Sequence, residues 1–389
     1  MTNLGNDVQF GIYKQMHSPD PNRLPTRFED WEKQAREVLA DGPYDYVAGG
    51  SGAGDTVQTN RDSFKRWHIV PRVLRHVEDR NLKVALYGHM YSSPVMVAPI
   101  GVQSIIHEEG ELASARAAAS MGVPYIASSA SSHSMEEIAE VIGDSPKWFQ
   151  LYWSRNSAIA RSFVERAEQV GYSAIVVTLD TPMMAWRELD LQNVYLPFLA
   201  GEGIGNYLTD PAFLSGLNTP PAEDAMGAIM HWTRVFGNAG LTWEDLTELK
   251  TYTNLPIILK GVLHPDDAKL AVKYGADGII VSNHGGRQVD GAIAALDALP
   301  AIVEAVENQI PVMMDSGIRR GADIFKAIAL GAKAVLIGRP CMYGLAVAGE
   351  TGVKQVLTNL LADLDLTMAL SGCRDLNEVN KDLIIPASR

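Results

Sequence analysis

His284 and Arg287 stand three residues apart in the segment Ser282-Asn283-His284-Gly285-Gly286-Arg287-Gln288, directly after the apolar run Gly278-Ile279-Ile280-Val281. An imidazole accepts a proton near neutral pH. A guanidinium holds a carboxylate through two parallel hydrogen bonds. The two glycines let the backbone turn sharply or approach a ligand closely. A base beside a carboxylate clamp points to chemistry on a small organic acid. The plain alternative is a glycine-rich turn whose His and Arg only cap a helix.

Such a loop needs a scaffold, and the sequence offers one. Eight apolar runs recur, at 95–101, 124–129, 148–153, 174–180, 256–261, 278–283, 311–317 and 334–340. Their near-continuous hydrophobicity suits parallel strands buried on both faces. Helical patterns lie between most of them, at 108–121, 134–141, 158–170, 265–274, 293–307 and 322–330. Several end at a glycine, the usual stop beyond a last helical turn. This alternation predicts an α/β protein, a (β/α)8 TIM barrel. A doubly wound open sheet is the alternative, but no GxGxxG follows a first strand. Residues 1–94 form an N-terminal extension with a predicted helix at 27–39. Residues 183–242, after strand four, read as a lid or a partly disordered loop, emerging where barrels place their active sites. The whole chain, 1–389, is expected to be one domain.

Bulk properties narrow the function. The 389 residues carry a formal charge of −13, with 47% hydrophobic and 20% charged residues. That balance excludes a nucleic-acid partner, and an anionic substrate would need a local cationic pocket. Cys341 and Cys373 form no CxxC pair, which fits a reducing compartment and gives no zinc site. The other histidines lack metal-ligand spacing, so no metal is expected. No apolar run is long enough to span a membrane. The N-terminus lacks the pattern of a signal peptide, and the expected location is cytoplasmic.

Polar residues gather where the apolar runs end. Ser128, Gln150 with Tyr152, Thr178 with Asp180, Lys260, His284 with Arg287, Asp315 with Arg319, and Gly338 with Arg339 follow in strand order, and Arg187 stands seven residues beyond Asp180. Polar groups at buried strand ends are costly unless paired, so a converging set implies a site. Barrel enzymes often bind phosphate after strands seven and eight. Asp315-Ser316-Gly317-Ile318-Arg319-Arg320-Gly321 and Ile337-Gly338-Arg339-Pro340 supply small residues and arginines there. A phosphate so held, with Lys260, Gln150, Thr178 and Ser128 at the barrel mouth, suits a flavin mononucleotide (FMN) lying across the top.

The 282–288 segment, together with Phe149-Gln150-Leu151-Tyr152, Leu179-Asp180-Thr181-Pro182, Leu259-Lys260-Gly261 and Ile337-Gly338-Arg339-Pro340, resembles the FMN-dependent L-2-hydroxy-acid oxidase family in consistent order from about residue 27 to 374. Ala98-Pro99-Ile100-Gly101, Trp186-Arg187 and Asn206-Tyr207-Leu208-Thr209-Asp210-Pro211 are similar to the lactate 2-monooxygenase branch. The resemblance implies His284 as general base with Asp180 as its carboxylate partner. Arg187 and Arg287 would clamp the substrate carboxylate, helped by Tyr46 and Tyr152, with Tyr207 and Trp186 on the lid side. Pro99, Ile100, Gly101, Ser128, Gln150, Thr178, Lys260 and Ser282 would meet the flavin. Asp315, Ser316, Gly317, Arg319, Gly338 and Arg339 would seat its phosphate end. The implied reaction oxidises a lactate-like L-2-hydroxy acid to the 2-oxo acid with dioxygen as acceptor, with or without coupled decarboxylation, in a homotetramer or homo-octamer. Gly101 stands where many relatives carry alanine, and Ala130 where several carry a larger residue, which would admit a bulkier side chain. An FMN-dependent isomerase of a phosphorylated substrate, needing no His–Asp pair, and a non-enzymatic flavin-binding barrel are the alternatives.

Overall fold

The computed structural model describes residues 3–18, 20 and 22–387. Twelve strands are described in chain order: β1 Trp67–Ile69, β2 Val84–Leu86, β3 His89–Tyr91, β4 Val95–Val97, β5 Tyr125–Ser128, β6 Lys147–Tyr152, β7 Ile175–Thr178, β8 Ile257–Val262, β9 Gly278–Val281, β10 Val312–Met314, β11 Val335–Ile337 and β12 Ile384–Pro386. Strands β4 to β11 pair in parallel and close into a barrel, β11 returning to β4. These are the eight apolar runs, trimmed at their ends. Branched residues such as Ile175-Val176-Val177-Thr178 suit this pleated, doubly buried setting. Each predicted inter-strand helix is present, within a few residues of its expected ends. Helix Met135–Ile142 starts on a capping box of Ser134 and Glu137, and helix Pro265–Lys273 opens with proline in its first turn.

Side chains alternate between barrel interior and helix layer with period two. The interior holds Met96, Ile126, Trp148, Val176, Ile258, Ile280, Met313 and Leu336 in one apolar cluster. The N-terminal extension is more than helical. Its hairpin, β2 paired with β3, delivers Leu86 and Tyr91 into that same cluster. Tyr91 Oη accepts a hydrogen bond from Trp148 Nε1 at 3.2 Å, so the hairpin plugs the bottom of the barrel. Strand β1 pairs with β12 and ties the N-terminal extension to the C-terminal segment.

Three features go beyond the sequence expectations. The lid is built from short helices, including Glu188–Gln192, Gly205–Leu208, Pro211–Leu214 and Ala225–Val235. These are too short and too rich in interrupting Gly, Pro and Asp to show a clear period. A 32-residue helix, Arg339–Leu370, follows β11, broken at Ala348 and Gly349. More than half of it is buried, so no polar face marked it in the sequence. Third, Arg80 and Asp365 form a buried two-point ion pair, at 2.7 and 2.8 Å, between the segment before β2 and this helix. Asp365 also accepts the Gly5 N–H at 2.9 Å. Arg80→Ala strands that carboxylate without its cation and is expected to cost about 3–5 kcal/mol. Calorimetry would register this as a melting temperature several degrees lower; an unchanged value would show that the pair adds no net stability.

Candidate active site

The last inward position of each barrel strand decides the chemistry of the mouth. Two residues above the apolar layer the alternation brings Ala98, Ser128, Gln150, Thr178, Lys260, Ser282, Asp315 and Gly338 to the top of the interior. Side-chain hydrogen bonds join most of this ring. Ser128 Oγ donates to Gln150 Oε1 at 2.9 Å, and Gln150 Nε2 donates to Thr178 Oγ1 at 2.9 Å. Lys260 Nζ donates to Ser282 Oγ at 2.9 Å and lies 3.1 Å from Asp315 Oδ2. Above the ring opens a cavity that reaches solvent.

His284 enters this cavity from a backbone with φ +59°, the left-handed region that His tolerates better than most residues and that clusters at functional sites. Its Nδ1 is 2.8 Å from Asp180 Oδ1 and 3.3 Å from Thr181 Oγ1. A carboxylate only accepts, so Nδ1 carries the proton and Nε2 is left as the basic nitrogen. Nε2 lies 3.4 Å from Tyr152 Oη. Burial lowers the His284 pKa below the ordinary value, and the Lys260 and Arg187 charges reinforce it against the pull of Asp180. The Asp180 carboxyl is driven up by burial, but the neighbouring His284 and Lys260 outweigh this and hold it below the usual carboxylate range. Burial pushes the Tyr152 phenol up to about 12, so it stays a neutral donor. The arrangement is a neutral base with a fixed tautomer beside a charged carboxylate, able to take a proton at Nε2.

Cations crowd the rest of the wall. Arg187, Arg287, Arg319, Arg339 and Lys260 all line the cavity. The Arg287 guanidinium donates to the Tyr46 carbonyl, lies over the Tyr46 ring at 4.7 Å, and is lowered to about 9 by burial and by Arg187. Arg187 donates to the Arg287 carbonyl at 3.1 Å and to Gln288 Oε1 at 3.2 Å. Arg339 reaches three backbone carbonyls, of Val47, Gly285 and Gly49, at 2.7–2.9 Å, and Arg319 Nε is buried with no partner among the described residues. Burial lowers both Arg319 and Arg339 to about 10. Buried cations short of counter-charge are expensive, and this wall is therefore built for anions. Helix Arg339–Leu370 starts at the same wall with no side-chain cap on its first turn, the usual seat for a phosphate. The cavity wall of Pro99, Ile100, Gly101, Lys260, Asp315, Ser316, Gly317, Arg319, Gly338 and Arg339 fits a flat aromatic cofactor with a phosphate tail. Gly101 is required by packing, because a Cβ there would strike the Ala130 carbonyl oxygen.

Most residues expected from the sequence thus converge, including Tyr46, Tyr152, Arg187, Arg287 and His284. Some do not reach the cavity. Tyr207 is fully buried among Phe163, Phe213 and Trp232 in the lid core, because its ring completes an apolar cluster there. Trp186 is 72% exposed and contributes its carbonyl, which accepts from the Gly52 N–H. Ser128, Gln150, Thr178 and Ser282 sit beneath the cavity wall, bonded to one another or to Lys260. The sequence reading missed Thr181, Met184, Phe198 and Phe236, which line the cavity, and Gln288, whose Nε2 donates to the Asp180 carbonyl at 2.7 Å. Thr181 and Gln288 stand inside the Leu179–Pro182 and Ser282–Gln288 motifs, where no role had been assigned to them; the lid phenylalanines carry no motif.

Comparison with known proteins agrees with this geometry. A family model for FMN-dependent dehydrogenase matches residues 35–386. The chain is 48% identical to a protein of Lysinibacillus sphaericus named L-lactate oxidase, over 90% of each chain. It is 42% identical to 2-hydroxyacid oxidase 1 of Mus musculus, over 91% of this chain and 95% of that one. The crystal structure of a mandelate oxidase superposes with a TM-score of 0.83 at 40% identity, covering 94% of this chain and 99% of that one.

Proposed function

The chain belongs to the FMN-dependent dehydrogenase family, and from that premise we propose that it oxidises L-2-hydroxy acids to 2-oxo acids. FMN, when bound, supplies the two-electron acceptor. The observation that carries the reading is the His284 Nδ1–Asp180 Oδ1 bond of 2.8 Å, in a cavity that also holds Arg187, Arg287 and Tyr152. On this reading Arg287 and Arg187 bind the substrate carboxylate, and Tyr46 and Tyr152 hydrogen-bond its polar end. His284 Nε2 takes the proton lost in oxidation, while Asp180 stabilises the imidazolium. When FMN is bound, Lys260 would present a fixed cation to its ring, and Arg319, Gly338 and Arg339 with the helix start would hold its phosphate. Neither an isomerase nor a flavin carrier has use for the His284–Asp180 pair.

The test is anaerobic mixing of the yellow holoenzyme with L-lactate and related acids, watching the flavin band; no bleaching by any 2-hydroxy acid would defeat the proposal. Arg287→Lys replaces a two-pronged fork with a point charge. The half-saturating substrate concentration is expected to rise roughly tenfold to a hundredfold, with a smaller change in the limiting rate. Unchanged saturation would count against the clamp. The pH dependence has a definite sign. A base must be neutral, so flavin reduction is present above the His284 pKa and lost as pH falls through it. Because that pKa is lowered from 6.5, the acid limb of the limiting rate is expected below pH 6.5. A rate still climbing between pH 7 and 8 would contradict it.

We also propose dioxygen as electron acceptor, one functional unit over 1–389, a homotetramer or homo-octamer, and a cytoplasmic location, which the two unpaired buried cysteines suit. A second outcome is supported by the lid. Asn206 ties it to the β5 loop through Nδ2 to Ser131 Oγ at 2.9 Å and through Oδ1 from the Met135 N–H at 2.7 Å. A lid so held would slow escape of the 2-oxo acid and peroxide, the condition that decarboxylation in place requires. Aerobic turnover of L-lactate separates the two outcomes: pyruvate and hydrogen peroxide, or acetate, carbon dioxide and water.

A further inference from the structure

The charged end of the cavity leaves one wall without charge, and the lid supplies its rings. Phe198 and Phe236 both line the cavity, and neither carries a polar atom beyond its backbone. Both pack on Trp232, with ring centroids at 4.7 Å and 21° for Phe198 and at 4.6 Å and 31° for Phe236. Trp232 itself is buried and does not reach the cavity. Phe236 continues the stack to Tyr152 at 5.3 Å, and Tyr152 lies beside His284. Val102 and Ala130 also line the cavity. The two sides meet at Gly203, φ +74°, where a Cβ would lie 2.6 Å from Val102 Cγ2, 2.7 Å from Phe198 Cε1 and 3.0 Å from the Ala130 carbonyl oxygen. Only glycine lets the lid close onto both.

We propose that this aromatic wall selects 2-hydroxy acids whose side chain is apolar and larger than methyl, and that Trp232 is the positioning residue that sets it. The inference rests on the reading of the site as a 2-hydroxy-acid oxidase. The arginines take the carboxylate, so the substituent on the reacting carbon is left to a wall of carbon atoms. A polar or charged side chain would lose its hydration there with no partner in return. A methyl group would leave ring surface unfilled, and each added methylene gains contact. Phe198 comes from the 3-10 turn Pro197–Ala200, and Phe236 from the end of helix Ala225–Val235. The indole is the ring that packs most closely on both.

The experiment uses the holoenzyme, anaerobically, with L-lactate, L-2-hydroxy-4-methylpentanoate and L-malate as reductants of the flavin. The branched acid is expected to exceed lactate by roughly tenfold or more in rate over dissociation constant, with malate below both. Trp232→Ala and Phe198→Ala are expected to erase that preference, the dissociation constant carrying most of the change. Trp232→Phe, which keeps a ring in place, is expected to retain it. A binding readout without turnover accompanies these: 4-methyl-2-oxopentanoate against pyruvate, titrated by the perturbation of flavin absorbance, should show the same gain and the same loss. If Trp232→Ala fails to fold, Phe198→Ala carries the test. Lactate equal to or better than the branched acid in the unmodified enzyme, or a preference that survives both alanine variants, overturns the inference. Failure of every acid to bleach the flavin overturns the oxidase reading itself, a different result from bleaching without preference.

Discussion

His284→Ala is expected to bind FMN normally and yet reduce it with a 2-hydroxy acid about 100-fold to 10,000-fold more slowly. The cofactor wall of Pro99 to Gly101, Lys260, Gly317, Arg319 and Arg339 is untouched by the change. What disappears is the one basic nitrogen in the cavity held in a fixed tautomer, by Asp180 at 2.8 Å. No neighbour replaces it, since Tyr152 is pushed up to about 12 and stays protonated. Alanine tolerates the left-handed backbone at φ +59° less well than His or Asn, so His284→Asn is the better-folded companion. Stopped-flow absorbance reads the reduction, and flavin content per chain reads the binding. Near-normal reduction in either variant would remove His284 from its role. Loss of flavin from both would mean that the loop supports the cofactor rather than the proton.

The sequence revealed this site through the barrel period. Each strand's last inward position follows from the alternation of the apolar runs, which is why Lys260, Asp315 and Gly338 were legible in the sequence. The base and its partner were legible too, although 104 residues separate Asp180 from His284, because each closes its own strand. The lid was opaque for the opposite reason. Phe198, Trp232 and Phe236 come together only when several short helices fold against one another, and no local pattern encodes that. The resemblance of segment 206–211 implied Tyr207 at the pocket, whereas its ring packs in the lid core. The hairpin plug escaped likewise, since Val84-Ala85-Leu86 is too short to stand out until Tyr91 finds Trp148 inside the barrel.

Asp180→Asn tests the pair from its other side, with an expected loss of roughly 100-fold to 10,000-fold in flavin reduction. The carboxylate is the negative charge that meets Lys260 and His284 together, and asparagine keeps the shape while removing the charge. An amide oxygen can still accept from Nδ1–H, so ring position changes little. The imidazolium, however, would then form beside Lys260 and Arg187 with no counter-charge. Burial and those two cations already lower the His284 pKa, and Asp180 is the group that opposes them. Without it the pKa falls further and the neutral ring becomes a weaker base. The plateau rate is therefore expected to drop while the acid limb moves to lower pH, a combination that simple misfolding does not produce. If the amide instead turns its NH2 toward Nδ1, the proton moves to Nε2 and the base is lost outright, with no acid limb remaining. A plateau within about threefold of the unmodified enzyme, with an unshifted limb, would show that Asp180 only packs against His284 and that the charge pairing is not part of the chemistry.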